Sequence, residues 1–125
     1  MKIYESGRES KLLDDIRKGL KTVECRLDRD KFADYQPGDQ VWLREDIYKD
    51  GKIVKSIPKQ VLVEVTKIEK FPTIRELMES VDFKNVVPRA GDIDEAVAQA
   101  KQFYSDEDEA KFGTLAIYFR ILDVE

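Results

Sequence analysis

The sequence predicts a single α+β domain over residues 1–125, built as a small β-barrel of about five or six mostly antiparallel strands with flanking helices. Strand-like segments outnumber helix-like segments and alternate with them along the chain. No segment pairs a strand with a glycine-rich phosphate loop, so a doubly wound parallel sheet is not expected. A chain of 125 residues can bury one hydrophobic core without disulfides or metal.

The N-terminal part is predicted to hold a short extended start, one helix and one strand. Ser6 and Glu9 have the spacing of a capping box, with Ser6 as the N-cap of the helix. Apolar residues recur at helical intervals over Leu12–Ile16. Gly19 is expected to end the helix, because glycine readily takes the positive φ of a C-terminal cap. Alternation of apolar and polar residues then predicts a strand over Val23–Leu27.

The middle of the chain is predicted to form two strands separated by turns. Pro37-Gly38-Asp39 is a turn signal and precedes a short strand at 41–43. Asp50-Gly51 is a dipeptide typical of β-hairpins. Pro58 places its segment at an edge of the sheet or outside it. Valines at alternate positions over Val61–Val65 give the clearest strand of the chain.

Three helices and a strand complete the prediction. Thr73 opens a second capping box, Asp92 or Asp94 caps the next helix, and Ser105 begins the last one. Phe103 is expected on the apolar side of the second of these helices. Strict alternation over 115–122 predicts a final strand that is buried on both faces.

Composition excludes several classes of function. The chain has no histidine, which excludes a catalytic triad with a histidine base and zinc sites with histidine ligands. Cys25 is the single cysteine, so no internal disulfide forms, which suits a reducing cytoplasm. No apolar run approaches the ~20 residues that span a bilayer. We therefore expect a cytoplasmic protein with no metal, no organic cofactor and no membrane contact, in an oligomeric state that the sequence leaves open.

The distribution of charge limits any nucleic-acid surface to a local one. The net charge of −4 argues against indiscriminate binding to a phosphate backbone. Basic residues slightly outnumber acidic ones in residues 1–70, whereas acidic residues predominate afterwards. The lysines between 49 and 70 fit either an ordinary solvated hairpin or a stripe that follows phosphates.

The segment Gly19–Arg26, with the sequence G-L-K-T-V-E-C-R, carries the strongest functional signal. Lys21, Glu24 and Arg26 fall together at a predicted helix-to-strand junction. They fit a ligand-binding cluster in which Glu24 orients a cation, a structural ion-pair network, or a catalytic site. Catalysis by Lys21 requires its neutral form, and a nearby Glu24 would instead retain the proton. Cys25 is expected to be a small buried hydrophobe.

Aromatic residues supply candidate surfaces for stacking a nucleobase. The candidates are Tyr35, Trp42, Tyr48 and Tyr104. A core position is the alternative for Trp42, which lies between two apolar residues, and Tyr104 is expected to border a cleft.

The motif at Gly19–Arg26 resembles the GxKxxExR signature of the ASCH family, a relative of the PUA RNA-binding fold. The resemblance continues through the turn at 37–39, the segment Lys84–Pro88 and the segment Gly113–Ile117, and thus covers nearly the whole chain in order. It implies a PUA-like β-barrel with a cleft between barrel and helices that takes RNA or a nucleotide-like ligand. The ligand-binding residues that it implies are Lys21, Thr22, Glu24, Arg26, Asn85, Arg89 and Tyr104.

The same resemblance implies an enzymatic alternative. Some family members are similar to amidohydrolases that remove the acetyl group of N4-acetylcytidine with a lysine nucleophile, assisted by a threonine and a distant glutamate. Lys21 takes the lysine place, Glu24 stands at the threonine place, and Lys84 aligns with the glutamate. Glu79 and Asp82 are the possible substitutes for that glutamate. A protein-interaction module without a nucleotide ligand is the third alternative.

Overall fold

The computed structural model describes residues 1–124, and within them five strands form one sheet flanked by five α-helices and a 3₁₀ turn at Asp30–Asp34. The strands are β1 Ile3–Glu9, β2 Val23–Leu27, β3 Gln40–Lys49, β4 Lys52–Phe71 and β5 Thr114–Val124. The helices are α1 Ser10–Arg17, α2 Ile74–Ser80, α3 Phe83–Val86, α4 Ile93–Lys101 and α5 Asp106–Phe112. The predicted α+β class is confirmed.

The sheet is open, so the predicted closed barrel is wrong. Its strand order is β1-β3-β4-β5-β2, with β1 parallel to β3 and the other neighbours antiparallel. The two edge strands still approach each other through side chains, because Arg8 Nε of β1 donates to Glu24 Oε2 of β2 at 2.9 Å. Adjacent strands in a ladder lie only about 4.8 Å apart. The edge strands β1 and β2 are therefore linked by a buried ion pair and not by a backbone ladder.

The first helix begins later than predicted. Ser6 is not an N-cap but a buried residue of β1, and Glu9 occupies the N-cap position without a side-chain cap. Strand β1 pairs with β3 from Ile3 to Glu9, so a long-range pairing overrides the local capping signal. The helix end is confirmed, since Gly19 has a φ of +74°.

The hairpin between β3 and β4 is much longer than the sequence predicted. The Asp50-Gly51 turn is confirmed, with φ values of +55° and +77°, which a tight hairpin turn requires. Strand β3 continues from the predicted 41–43 to Lys49. Pro58 lies inside β4, where pairing with β3 is interrupted between Ile57 and Val61. The bulge accommodates a residue that cannot donate to the ladder.

Local signals in the second half of the chain were predicted well. The side chains of Thr73, Asp92 and Ser105 accept hydrogen bonds from backbone N–H groups in the first turns of α2, α4 and α5. Strand β5 departs from the prediction, because both of its faces are buried only over Thr114–Ile117 and the residues from 120 onwards are exposed. Its end extends past the helices that cover its beginning.

Two apolar clusters support the sheet and position the cleft described below. One joins β2 and β5 to α2, α3 and α4, around Leu77 and Met78. The other packs α1 against β3, β4 and β5, around Leu13, Ile16 and Val63. Within residues 1–124, no helix has both the length and the apolar character needed to cross a membrane.

Candidate ligand-binding cleft

A cleft of about 650 Å³ opens between the β1–α1 segment and the α3–α4 segment, with β2 along its wall. The charged residues of the Gly19–Arg26 motif line it together with Arg8 from β1. Three aromatic side chains form the rim of the cleft, namely Tyr48 from β3 and Phe103 and Tyr104, which follow α4. The chain thus assembles the cleft from segments that are far apart in sequence.

Glu24 lies at the centre of a cluster of charges. Its carboxylate is 2.9 Å from Arg8 Nε, 3.5 Å from Lys21 Nζ and 3.6 Å from Arg26 Nε. We call these four residues the Glu24 cluster. It brings together the three charged residues that the sequence singled out. Because the cluster holds three cations and one carboxylate, it carries an excess of positive charge at the cleft wall.

Burial and mutual charge set the ionisation of the Glu24 cluster. Burial opposes the charge of Glu24, but Arg8, Lys21 and Arg26 together hold the pKa of this carboxyl well below its usual range. Burial lowers the pKa of Lys21, and Glu24 only partly offsets that effect. Burial opposes the charge of Arg26 too, yet Glu24 and Tyr104 raise its pKa above the usual value. Glu24 is therefore ionised at neutral pH.

Lys21 is held in place by two hydrogen bonds and an ion pair. Its side chain is 4% exposed, and Nζ donates to the carbonyl oxygens of Val86 at 2.6 Å and Val23 at 3.2 Å. Its ion pair with Glu24 Oε1 is longer, at 3.5 Å. Lys21 thereby ties β2 to α3 while it contributes its charge to the cleft.

Arg26 is the most exposed member of the Glu24 cluster. Its side chain is 26% exposed, against 6% for Arg8 and 4% for Lys21. The guanidinium lies over the ring of Phe32, 4.9 Å from the centroid. Its buried Nε makes no hydrogen bond within residues 1–124. Nε is itself shielded from the cleft, so Arg26 meets an incoming ligand through the exposed part of its side chain.

The other predicted ligand-binding residues occupy different surroundings. Tyr104 lines the cleft, as the sequence indicated. Arg89 lines it as well, but its guanidinium is paired with the buried Asp15 through contacts of 2.9 and 3.0 Å. Thr22 and Asn85 lie beside the cleft and meet through their backbones, since Thr22 N–H donates to Asn85 O at 3.0 Å.

The acidic residues proposed to assist catalysis lie outside the cleft. Glu79 is exposed on α2, and Asp82 caps α3 by accepting a hydrogen bond from the backbone N–H of Lys84 at 3.1 Å. Lys84 itself donates through Nζ to Ala90 O at 2.7 Å. None of these three side chains lines the cleft around Lys21.

The aromatic candidates divide between core and cleft. Tyr35 is buried at 7% exposure, and Trp42 is partly buried opposite Leu62 of β4, away from the cleft. Tyr48, by contrast, is 50% exposed and lines the cleft. Cys25 is buried as expected, and burial raises the pKa of its thiol to about 12.

Comparison with solved structures identifies the fold. The hypothetical protein PH0355 is 29% identical over 98% of this chain and 100% of its own, with a TM-score of 0.79. Protein PF0455 from Pyrococcus furiosus is 28% identical over 98% and 99%, with a TM-score of 0.74. An ASCH domain from Lactobacillus crispatus matches 96% of this chain and 79% of its own, at 16% identity and a TM-score of 0.53. The chain has an ASCH-like fold. No protein-family model matches the sequence, and a search of curated proteins finds no significant relative.

Arg8 and Phe103 line the cleft of this ASCH-like domain, although the sequence pattern placed neither of them there. Arg8 was assigned to the first helix, although Tyr4, Ser6 and Arg8 alternate as one face of a strand does. Two of these three side chains are polar, so the pattern did not resemble a buried face. Phe103 was assigned to the apolar face of α4, but that helix ends at Lys101. The Phe103 side chain is instead 70% exposed at the cleft rim.

Proposed function

We propose that this ASCH-like domain binds single-stranded RNA or a nucleotide-like ligand in the cleft around the Glu24 cluster. The observation that carries the proposal is the surplus of cations, since Arg8, Lys21 and Arg26 surround the single carboxylate of Glu24. Unpaired positive charge at a partly enclosed wall attracts an anionic group. A volume of about 650 Å³ falls within the range of small-molecule sites.

Each residue of the cleft has a distinct role in this proposal. Arg26 donates to a phosphate or to a base edge, because its guanidinium is the most exposed of the three cations. Glu24 offsets part of the positive charge of the three cations, and the buried Lys21 and Arg8 add attraction at longer range. Tyr104 offers a ring for stacking a nucleobase, which is a sequence-tolerant source of affinity.

An amidohydrolase acting on an acylated nucleoside is the second candidate. One observation favours it, because burial lowers the pKa of Lys21 in the direction that a lysine nucleophile needs. Two observations favour binding instead. The ammonium group already donates to two backbone carbonyls and pairs with the carboxylate of Glu24, and both Glu79 and Asp82 lie outside the cleft. Binding is therefore the better-supported function.

The binding proposal is tested with a fluorescently labelled single-stranded RNA of about six nucleotides, within the range that one small domain covers. Fluorescence polarisation is recorded over a series of salt concentrations for the wild type, Arg26→Gln and Arg120→Gln. Arg120 is the matched control, because it is exposed, pairs with Glu64 and lies away from the cleft. Thermal melting confirms that each variant is folded.

We expect Arg26→Gln to bind more weakly than the wild type, with a salt dependence shallower by about 0.7 per lost phosphate contact. Arg120→Gln should behave like the wild type. Equal binding by all three proteins would refute phosphate recognition at Arg26. Incubation with N4-acetylcytidine tests the enzymatic candidate. Release of cytidine by the wild type but not by Lys21→Ala would establish an amidohydrolase. A protein-interaction module would show neither RNA binding nor turnover.

A further inference from the structure

The hairpin between β3 and β4 extends beyond every neighbouring strand of the described sheet. Pairing of β1 with β3 ends at Glu9 and Asp46, and pairing of β5 with β4 begins at Val61. Asp46 pairs with Ser56 of β4, so residues 47–55 form a two-stranded ribbon, which we call the hairpin arm. Most of its residues are exposed. A ribbon of two strands is marginally stable in water on its own, so its length is not explained by packing.

The hairpin arm concentrates positive charge in a protein whose net charge is −4. Its lysines are Lys49, Lys52 and Lys55, and its acidic residue is Asp50. Lys49 and Lys52 are direct cross-strand partners, an arrangement of like charges that destabilises a hairpin. Within residues 1–124, none of these three lysines makes an ion pair. An anionic partner would remove the repulsion that the fold leaves in place.

Tyr48 makes the hairpin arm continuous with the cleft. Its ring lines the cleft, and its cross-strand partner on the arm is Ile53. The two side chains are 50% and 47% exposed, so they give the lysine-bearing ribbon an exposed apolar patch with an aromatic ring. Aromatic rings beside basic residues form the usual surface for an unpaired nucleic-acid strand.

We propose that the hairpin arm is a second RNA-binding surface that extends the cleft. A single strand that occupies the cleft leaves it over Tyr48 and runs along the arm, where the lysines contact its phosphates. The proposal rests on the proposed function for its choice of ligand. Charge complementarity and the aromatic ring at the junction together favour single-stranded RNA over an acidic protein, which offers no bases to stack.

A length series tests this proposal. Binding of a nucleoside monophosphate and of RNAs of about 6 and about 16 nucleotides is measured for the wild type, Lys52→Ala/Lys55→Ala and Lys18→Ala/Lys111→Ala. The last variant is the matched control, because it removes the same charge from exposed lysines outside both cleft and arm. We expect the arm variant to bind the monophosphate as tightly as the wild type does. The wild type should bind the longer RNA more tightly than the shorter one, and the arm variant should lose this difference. Its salt dependence for the longest RNA should be shallower by about 1.4, at ~0.7 for each phosphate contact.

The possible results decide the arm proposal and the cleft proposal separately. If the arm variant and the control bind the longest RNA equally, the arm proposal is wrong whatever the cleft does. If polyglutamate of matched charge competes as well as RNA, the arm is a general polyanion surface and the proposal is again overturned. If no protein binds the monophosphate and Arg26→Gln has no effect, but the arm variant loses RNA, the cleft proposal fails and the arm proposal stands.

Discussion

Replacing Glu24 by glutamine tests whether the cluster is held together as the distances indicate. The substitution preserves the shape of the side chain and removes the carboxylate that Arg8, Lys21 and Arg26 share. All three cations would then lie close together without a counter-charge. The side chains of Arg8 and Lys21 are only 6% and 4% exposed, so water cannot replace the lost carboxylate.

The expected loss of stability is large because it leaves buried charges uncompensated. Removing one partner of a buried ion pair costs about 3–5 kcal/mol. In a domain of this size, about 1 kcal/mol corresponds to a change of roughly 3–5 °C in Tm, so the melting temperature should fall by about 10–20 °C. Glu64→Gln is the control, since Glu64 forms a 2.8 Å pair with the exposed Arg120. Breaking an exposed pair costs about 0.2–1 kcal/mol.

Differential scanning calorimetry and urea unfolding as a function of pH measure both variants. The pKa of Glu24 is depressed in the folded protein, so its contribution is fully present above the unfolded value of about 4.3. That contribution is lost as the pH falls below this value toward the lower folded pKa. The stability difference between wild type and Glu24→Gln should therefore be constant near neutrality and narrow in acid. If Glu24→Gln lowers the free energy of unfolding no more than Glu64→Gln does, the inference that Glu24 compensates buried charges is refuted.

Two further predictions concern residues near the cleft. Burial raises the pKa of Cys25 to about 12, so the native protein should react with Ellman's reagent at pH 8 far more slowly than the protein in denaturant; rapid labelling of the native thiol would contradict this. Gly7→Ala should destabilise by about 1–3 kcal/mol, because a Cβ there would collide with the buried carboxylate of Asp46. In Gly91→Ala the nearest atom is the mobile end of Glu95, so unfolding in urea should show a smaller loss, and equal losses would count against the steric argument.

Sequence reasoning succeeded where the determining interactions are local. The cap at Thr73 depends on a residue three positions later, and the turn at Asp50-Gly51 depends on two backbone angles. The order Lys21, Glu24, Arg26 places three charges within one short segment, so their proximity follows from the chain itself. Such features need no knowledge of the rest of the fold.

The parts that escaped prediction depend on contacts between distant segments. Ser6 and Glu9 have capping spacing, but the pairing of β1 with β3 decides their conformation. Arg8 joins the cluster because that pairing brings it to Glu24, sixteen positions away in sequence. Glu79 and Asp82 were candidate catalytic residues because of their position in the sequence. Position in the sequence does not determine on which side of α2 and α3 the cleft opens.

The Glu24 cluster links stability to binding in a way that separates a structural role from a ligand-binding one. A network that served only the fold would be most stable with matched charges, yet this one holds three cations for one carboxylate. Glu24→Gln increases the positive excess, so it should lower stability and at the same time tighten binding of a nucleoside monophosphate, measured below the melting temperature. A structural network would show only the loss of stability. Opposite signs of the two effects in one variant would therefore identify the cluster as an anion-binding site that is maintained at a cost to the fold.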